Sequence, residues 1–217
     1  MNINKHLILL FSVLFFLFAV SVSSGCFRKN ESDVKSVVRN ELDQLKNLDS
    51  ETTQKYIPYT ELFPDATENT DLTDEINKTF SLFFRKFNYK ISDVIVGTTN
   101  HSATVSVKLT TIDSKVLARD FKAELLRTQI TESAQAQKGN IKDSSRSLEA
   151  HYLILNHLLN TNDYDTAETD CNIQLVNTGN DKKEKWKIQR TNSLEDDLVG
   201  GLIADLADPD ILSPEDT

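Results

Sequence analysis

The sequence predicts an α+β fold in which a curved antiparallel sheet, made of two β-hairpins, packs against helices. Three observations support this class. Apolar residues recur at helical spacing in the N-terminal part of the chain, they alternate with polar residues in two later regions, and helical spacing returns between and after those regions. Separate hairpins with helices between them are typical of an antiparallel sheet that is covered on one face. We therefore expect N-terminal, inter-hairpin and C-terminal helices on that face.

Three helices are predicted before the first hairpin. Ser32-Asp33 can cap a helix whose apolar positions are Val34, Val37, Val38, Leu42 and Leu45. A short second helix spans Leu48 to Tyr59 and should end near Pro58, because proline removes a backbone donor. The third carries Leu72, Ile76, Phe80, Phe83, Phe84 and Phe87. Four phenylalanines on one helix face need a broad apolar surface opposite them, such as a sheet.

Two regions of strict alternation predict the hairpins. In the first, Tyr89, Ile91 and Ile95 precede the turn residues Gly97 to Ser102, and Val105, Val107 and Leu109 alternate with Thr104, Ser106 and Lys108. In the second, Thr169, Cys171, Ile173 and Leu175 precede a turn at Asn177 to Asp181, and Trp186 and Ile188 follow it. Each hairpin should thus bury one face and expose the other.

Helices are also predicted between the hairpins and at the C-terminus. One runs from Ser114 to about Lys138 with Leu117, Phe121 and Leu125 on its apolar face, and another from Ser144 to Asn160 with Leu148, Tyr152, Leu155 and Leu159. Leu194, Leu198, Leu202 and Leu206 indicate a terminal helix with Gly200-Gly201 as its weak point. We interpret residues 32–207 as one domain and residues 208–217 as an acidic, mobile tail.

The N-terminus has the layout of a secretory signal. Lys5 precedes an uncharged apolar run from Leu7 to Val22, and the small residues Ser23, Ser24 and Gly25 follow. A helix over that run would be about 24 Å long, shorter than the roughly 30 Å hydrocarbon core. A permanent membrane span is therefore the weaker interpretation, and we assign residues 1–25 to a signal peptide.

Cys26 follows the small residues directly, and this arrangement resembles the lipobox of bacterial lipoproteins. The resemblance implies that the Cys26 sulfur takes a diacylglyceryl group and that cleavage makes Cys26 the first residue of a protein anchored on the extracytoplasmic face of the cell membrane. Residues 26–31 would then be the lipidated cysteine and a tether. Ser23 stands where the lipobox usually has leucine, so a freely secreted product is the alternative.

Composition limits the classes of function. The chain has 217 residues and a formal net charge of −9, which argues against nucleic acid as a partner because nucleic-acid binding requires basic patches. If Cys26 carries lipid, Cys171 has no cysteine left to pair with in the chain. Its place in an alternating apolar stretch predicts a small buried side chain.

The arrangement of elements is similar to lipid-anchored domains of Gram-positive bacteria with a nuclear transport factor 2-like, or cystatin-like, fold. The resemblance is carried by the amphipathic helix after Cys26, the strand from Ala103 to Thr110, the Lys185-Trp-Lys-Ile strand and the leucine-rich segment that ends at Gly200-Gly201. It implies a cone-shaped sheet with a cavity between sheet and helices. The paired helices between the hairpins depart from the simplest version of that fold and leave the strand order open.

No catalytic motif, cofactor site or metal site is predicted. His151 and His157 are six residues apart on one helix and point in different directions. Asp93 and Asp120, with the hydroxyl groups of Tyr89, Tyr152 and Tyr164, are the side chains that an isomerase of this fold could use, but no spacing selects them. The acidic group Glu195-Asp196-Asp197 lacks the glycine and spacing of a calcium loop, so we expect it to be solvated.

Two non-catalytic functions remain. In the first, the domain holds a small apolar ligand or lipid in its cone, lined by the large aromatic side chains Phe80, Phe83, Phe84, Phe87, Phe121 and Trp186. In the second, the exposed sheet face, with Thr104, Ser106, Lys108 and Thr110, binds another envelope protein or a second copy of the chain. A filled core is the structural alternative for the six aromatic residues.

Overall fold

A computed structural model describes residues 30–57, 62–63, 66, 72–99, 101–136, 147–179 and 185–212. Within these residues the fold is α+β, with a four-stranded antiparallel sheet and seven α-helices. The helices are α1 (residues 30–46), α2 (Ser50–Tyr56), α3 (Thr73–Phe83), α4 (Ser114–Ala136), α5 (Leu148–Thr161), α6 (Asn192–Leu198) and α7 (Leu202–Ala207). The strands are β1 (Asn88–Val96), β2 (Ser102–Ile112), β3 (Thr166–Asn177) and β4 (Trp186–Ile188).

The sheet has the order β1-β2-β3-β4, and every neighbouring pair is antiparallel. The two predicted hairpins are confirmed, and they join through β2 and β3, which pair without interruption from Ser102 opposite Val176 to Ile112 opposite Thr166. The strand order that the sequence left open is thus the sequential one. A bulge between Ile91 and Asp93 interrupts the register of β1, which adds local twist to this edge strand.

The inner face of the sheet and the apolar faces of the helices form one core. Val105, Val107 and Leu109 of β2 and Ile173 and Leu175 of β3 are at most 2 % exposed. Each such side chain contributes roughly 1.5–3 kcal/mol when it is removed from water. The alternation read from the sequence therefore identifies the inner face correctly.

Several boundaries differ from the expectation for local reasons. Helix α1 is already helical at Asn30, and it ends before Leu48, which has a left-handed φ of 62° and joins α1 to α2. The third helix tightens into a 3₁₀ turn over Phe84–Lys86 rather than continuing to Phe87. Helix α5 begins at Leu148, where the Ser147 side chain accepts a hydrogen bond from the Ala150 amide; the predicted start at Ser144 lies outside the described residues.

The terminal helix is divided into α6 and α7 at the predicted weak point. Gly200 and Gly201 have φ values of 67° and 92°, a region that glycine adopts without steric cost. Asp196 Oδ1 accepts from the amides of Ile203 and Ala204 at 2.9 and 3.1 Å, so a carboxylate of α6 caps α7. Ile211 is buried beyond α7, and residues 213–217 of the predicted tail lie outside the described part of the chain.

The predicted signal peptide and Cys26 also lie outside the described residues. Among the helices that are described, none is long and apolar enough to cross a bilayer.

Candidate interaction surface

The outer face of β2 and β3 carries a row of polar side chains that we call the polar ladder. Along β2, buried residues alternate with residues that reach the outer surface. The same alternation on β3 exposes the positions paired with them. The ladder consists of Thr104, Ser106, Lys108, Thr110, Glu168, Asp170, Asn172 and Gln174.

Neighbouring side chains of the polar ladder bond to each other across the strands. Thr104 Oγ1 donates to Gln174 Oε1 at 3.1 Å, and Ser106 Oγ donates to Asn172 Oδ1 at 2.9 Å. Both pairs are directly opposite in the register, where cross-strand side-chain pairs stabilise a sheet. These bonds limit the rotamers that the side chains sample, so less conformational entropy is lost when a partner covers them.

The charged end of the polar ladder is a three-residue group. Lys108 Nζ lies 3.0 Å from Glu168 Oε2 and 4.0 Å from Asp170 Oδ1. The hydrogen bond and charge of Glu168, with the charge of Asp170, raise the pKa of Lys108 above its ordinary value, so the ammonium group stays protonated at neutral pH. Surface pairs of this kind contribute little to stability, but they fix the charge pattern that a partner meets.

An apolar side chain stands beside the polar part of the ladder. Ile95 of β1 pairs with Thr104 in the register and is 60 % exposed. Val176 of β3, opposite Ser102, is half-buried on the same face. The outer face thus presents hydrogen-bonding groups, a charged group and an aliphatic contact, the mixture found at non-obligate protein interfaces.

All six predicted pocket residues are buried, with exposures between 1 % and 6 %. Phe84 contacts Phe80, Phe83 and Phe87, with ring centroids 6.3, 5.5 and 5.3 Å apart. Phe121 joins this group indirectly, because Phe63 stacks on it at 5.1 Å and also contacts Tyr152, which reaches Phe80 at 6.5 Å. Trp186 is buried at the start of β4. In this structure five of the six fill one aromatic cluster.

Sequence reasoning missed Phe63 and the linking role of Tyr152. The signal for Phe63 is its position in the apolar pair Leu62-Phe63 within a polar segment. A cavity of about 40 Å³ borders the cluster at Phe80 and is also lined by Leu48, Thr53, Asn77 and Ser81. This volume is enough for a water molecule.

The side chains that an isomerase of this fold could use form hydrogen bonds with other residues or lie apart from each other. Asp120 accepts from Tyr164 Oη at 3.1 Å, and Tyr89 Oη donates to Asp43 at 2.6 Å. Burial raises the pKa of both Tyr89 and Tyr164 to about 12, so both phenols are neutral at pH 7. Asp93 is exposed on β1 and Tyr152 is buried in the aromatic cluster. No described contact brings Asp93 and Asp120 together.

The acidic group expected in solvent is partly buried, which corrects the prediction. Glu195 is 4 % exposed and pairs with Arg190, while Asp196 caps α7. Asp197 lies close to Cys171, and burial followed by the charge of Asp197 raises the pKa of the thiol to about 12. Cys171 is therefore a protonated, buried side chain, as the alternation predicted. Within the described residues, no group of three His, Cys, Asp or Glu is placed to hold a metal ion.

Comparisons with known proteins add no relative: no protein-family model, no curated protein and no solved structure matches the chain.

Proposed function

We propose that this chain is a non-catalytic domain on the extracytoplasmic face of the cell membrane that binds another protein through the outer face of its sheet. The polar ladder is the observation that carries the proposal. Two long strands, paired over their whole length, hold bonded polar side chains and the exposed Ile95 on one surface. The partner is a second copy of the chain or another envelope protein.

Attachment through Cys26 is the second part of the proposal. The uncharged apolar run, the small residues after it and the cysteine at their end support a signal peptide followed by a lipid anchor. Two or three acyl chains on one residue hold a protein at a membrane without further contacts, whereas a single chain is marginal.

We also propose that the sheet is cone-shaped. The bulged β1 and the long β2 and β3 pair support a sheet that curves around the helices as a nuclear transport factor 2-like cone does. The inserted pair α4 and α5 lies between the two hairpins in the chain.

Binding of a small apolar ligand or lipid among the aromatic residues is the second candidate. It would use the aromatic side chains around Phe84 and Tyr152, which pack against one another in the structure. Because these rings contact one another, a ligand larger than water would have to separate them. The proposal therefore requires a rearrangement of α3 against α5, the helices that carry Phe80 and Tyr152.

Native mass spectrometry of the full chain, extracted gently from its own membrane, tests both candidates. The interaction proposal predicts an added protein mass that is lost when Thr104→Arg and Ser106→Arg are combined. The control His157→Arg, on the exposed face of α5, should leave that mass in place. A small-molecule mass on the monomer would instead support the ligand proposal. A bare monomer in every preparation would contradict both.

A further inference from the structure

Strand β1 forms an edge of the sheet that has no strand beside it within the described part of the chain. It is nine residues long, whereas β4 at the opposite edge has three. Its sequence, NYKISDVIV, contains no proline and is rich in residues that favour strands. An edge of this length presents a row of backbone N–H and C=O groups with which another strand can pair.

The hydrogen bonds to β2 show which backbone groups of β1 face outward. The Gly97 amide donates to the Ser102 carbonyl at 2.8 Å, so these two residues form a hydrogen-bonded pair of the antiparallel ladder. Such pairs alternate with pairs that do not bond, and residues of the second kind turn their N–H and C=O groups away from the neighbouring strand. On β1 they are the residues paired with the buried positions of β2: Tyr89, Ile91, Val94 and Val96.

Three of these residues also have side chains that the core covers only in part. Tyr89, Ile91 and Val94 are half-buried. Their partners on β2 are at most 2 % exposed: Leu109, Val107 and Val105. A further strand beside β1 would therefore bury apolar surface on the inner face of the sheet as well as pair the backbone.

The charges on β1 limit which strand can pair with it. Lys90 and Asp93 are exposed on the outer face, and neither has an ion-pair partner among the residues that the structure describes. Lys108, which lies opposite Lys90 on β2, is instead bonded to Glu168 and lies near Asp170. The edge strand thus has no net charge, and its cation and anion both remain available to a neighbour.

We propose that β1 pairs with β1 of a second copy of the chain, antiparallel and about a two-fold axis at Ile91. Ser92 is the extra residue of the bulge, where its Oγ donates to the Ser106 carbonyl at 3.0 Å, and it takes no place in the new register. Ile91 then faces Ile91 of the second copy. All residues with outward backbone groups face one another, as an antiparallel ladder requires.

The charges of β1 are complementary to themselves in this register. Lys90 lies opposite Asp93 of the second copy, and the two-fold axis produces the same pair again. A shift of two residues in one direction would place Lys90 opposite Lys90, and a shift in the other direction would place Asp93 opposite Asp93. Like charges directly opposite each other destabilise a sheet. This self-complementarity favours a second copy over an unrelated peptide.

The bulge and Lys90 are features that discourage unspecific pairing at a sheet edge. In the symmetric register both are accommodated, because the bulge brings Lys90 and Asp93 to equal distances from Ile91. The two four-stranded sheets would become one, with both polar ladders on the same face. The contact uses the edge of the sheet, so it goes beyond the proposed function and does not depend on it or on the anchor.

Charge reversal in the full chain, followed by sedimentation equilibrium in detergent, tests the inference. Lys90→Asp places an acid opposite Asp93 twice, and Asp93→Lys places a base opposite Lys90 twice. Each variant should raise the dissociation constant of the dimer at least about tenfold. An equimolar mixture of the two variants should dimerise as the unchanged chain does, because every opposing pair in the mixed dimer has unlike charges.

The mixture also shows that both variants are folded, and Lys187→Asp is the matched control. Lys187 is exposed on β4, and its reversal changes the net charge as Lys90→Asp does but should leave the dissociation constant unchanged. An unchanged chain that stays monomeric would overturn the inference. A dimer that persists in both variants is held by another surface, such as the polar ladder, and would overturn it too.

A cysteine at the two-fold axis tests the register directly. Cα atoms of a hydrogen-bonded antiparallel pair lie about 5.5 Å apart, within the range of a disulfide, so Ile91→Cys should give a covalent dimer on mild oxidation. Val94→Cys, which faces Tyr89 of the second copy, should not. Cys171 is buried, and the unchanged chain oxidised in parallel reveals any disulfide through Cys26. No dimer from Ile91→Cys, or an equal yield from Val94→Cys, would contradict the proposed pairing.

Discussion

Gly200 lies directly against Thr111. A Cβ atom at Gly200 would stand 3.2 Å from the Thr111 Cβ and far inside contact distance of its Oγ1, and the φ of Gly200 is 67°. The junction of α6 and α7 thus packs on the end of β2 without room for a side chain.

Gly200→Ala should therefore destabilise the fold by about 2–4 kcal/mol, the sum of left-handed strain and overpacking. Gly201→Ala is the control, because its φ is also positive but its nearest neighbour, Ser114 Oγ, is 3.6 Å away; it should cost about 1–2 kcal/mol. Urea unfolding measures both. In the double variant, Thr111→Ala should recover part of the Gly200→Ala loss, and equal effects at the two glycines would contradict this account.

Leu48 should be replaceable by glycine with a gain in stability. It has a φ of 62° at the end of α1, where the Asp49 amide donates to the Gln44 carbonyl and the Leu48 amide to the Leu45 carbonyl, a C-terminal motif that favours glycine. Leu48→Gly should raise the free energy of unfolding by about 0.5–1 kcal/mol, and Leu48→Ala should not. Loss of stability in Leu48→Gly would show that contacts of the half-exposed side chain outweigh the backbone strain.

The free energy of unfolding should decrease as the pH is lowered, because of His151. Its ring lies between Phe63 and Phe121, with centroids 4.8 and 5.7 Å away, and burial lowers its pKa. The folded chain thus binds fewer protons than the unfolded chain, so this stabilisation is complete above the ordinary pKa of about 6.5 and is lost as pH falls from there through the lower pKa of the folded chain. Unfolding measured above and below a pH of about 6.5 should show a shallower pH dependence in His151→Phe than in the unchanged chain. An unchanged slope in His151→Phe would refute the assignment.

Asn156 is a buried polar residue whose replacement should be tolerated. It is 5 % exposed on α5, and its Oδ1 has no hydrogen-bond partner among the residues that the structure describes. Its Nδ2 reaches the Glu75 carbonyl at 3.3 Å. An unpaired buried oxygen costs roughly 1–3 kcal/mol, so Asn156→Leu should stabilise the chain by about 1 kcal/mol. Asn156→Asp, which buries a charge in the same place, should destabilise it. Thermal melting of the two variants in opposite directions would confirm the environment of Asn156.

Periodicity in the sequence predicts the elements well because burial on one face has a local signature. The alternation from Ala103 to Leu109 identified the inner face of β2 and, by exclusion, the polar ladder. Gly200-Gly201 marked the division of the last helix. The sequence instead predicts Leu48 within a helix, because no glycine marks the left-handed position at the end of α1.

The sequence does not predict which residues contact one another across long separations in the chain. No local pattern shows that Phe63 bridges Phe121 and Tyr152. The pairing of β2 with β3 depends on how the long α4–α5 connection folds back, which alternation within each strand does not encode. The sequence predicts the large aromatic side chains as pocket lining or as core, and it does not show which of them pack against one another.

Site-specific photocross-linking in cells tests the central claim, that the polar ladder binds a protein. The full chain carries a photoreactive phenylalanine analogue at Thr104 or, as control, at His157. We predict one cross-linked product of discrete mass from Thr104, absent from His157 and lost when Lys108→Glu reverses the charge of the ladder. No product from Thr104, or the same product from both positions, would contradict the proposal.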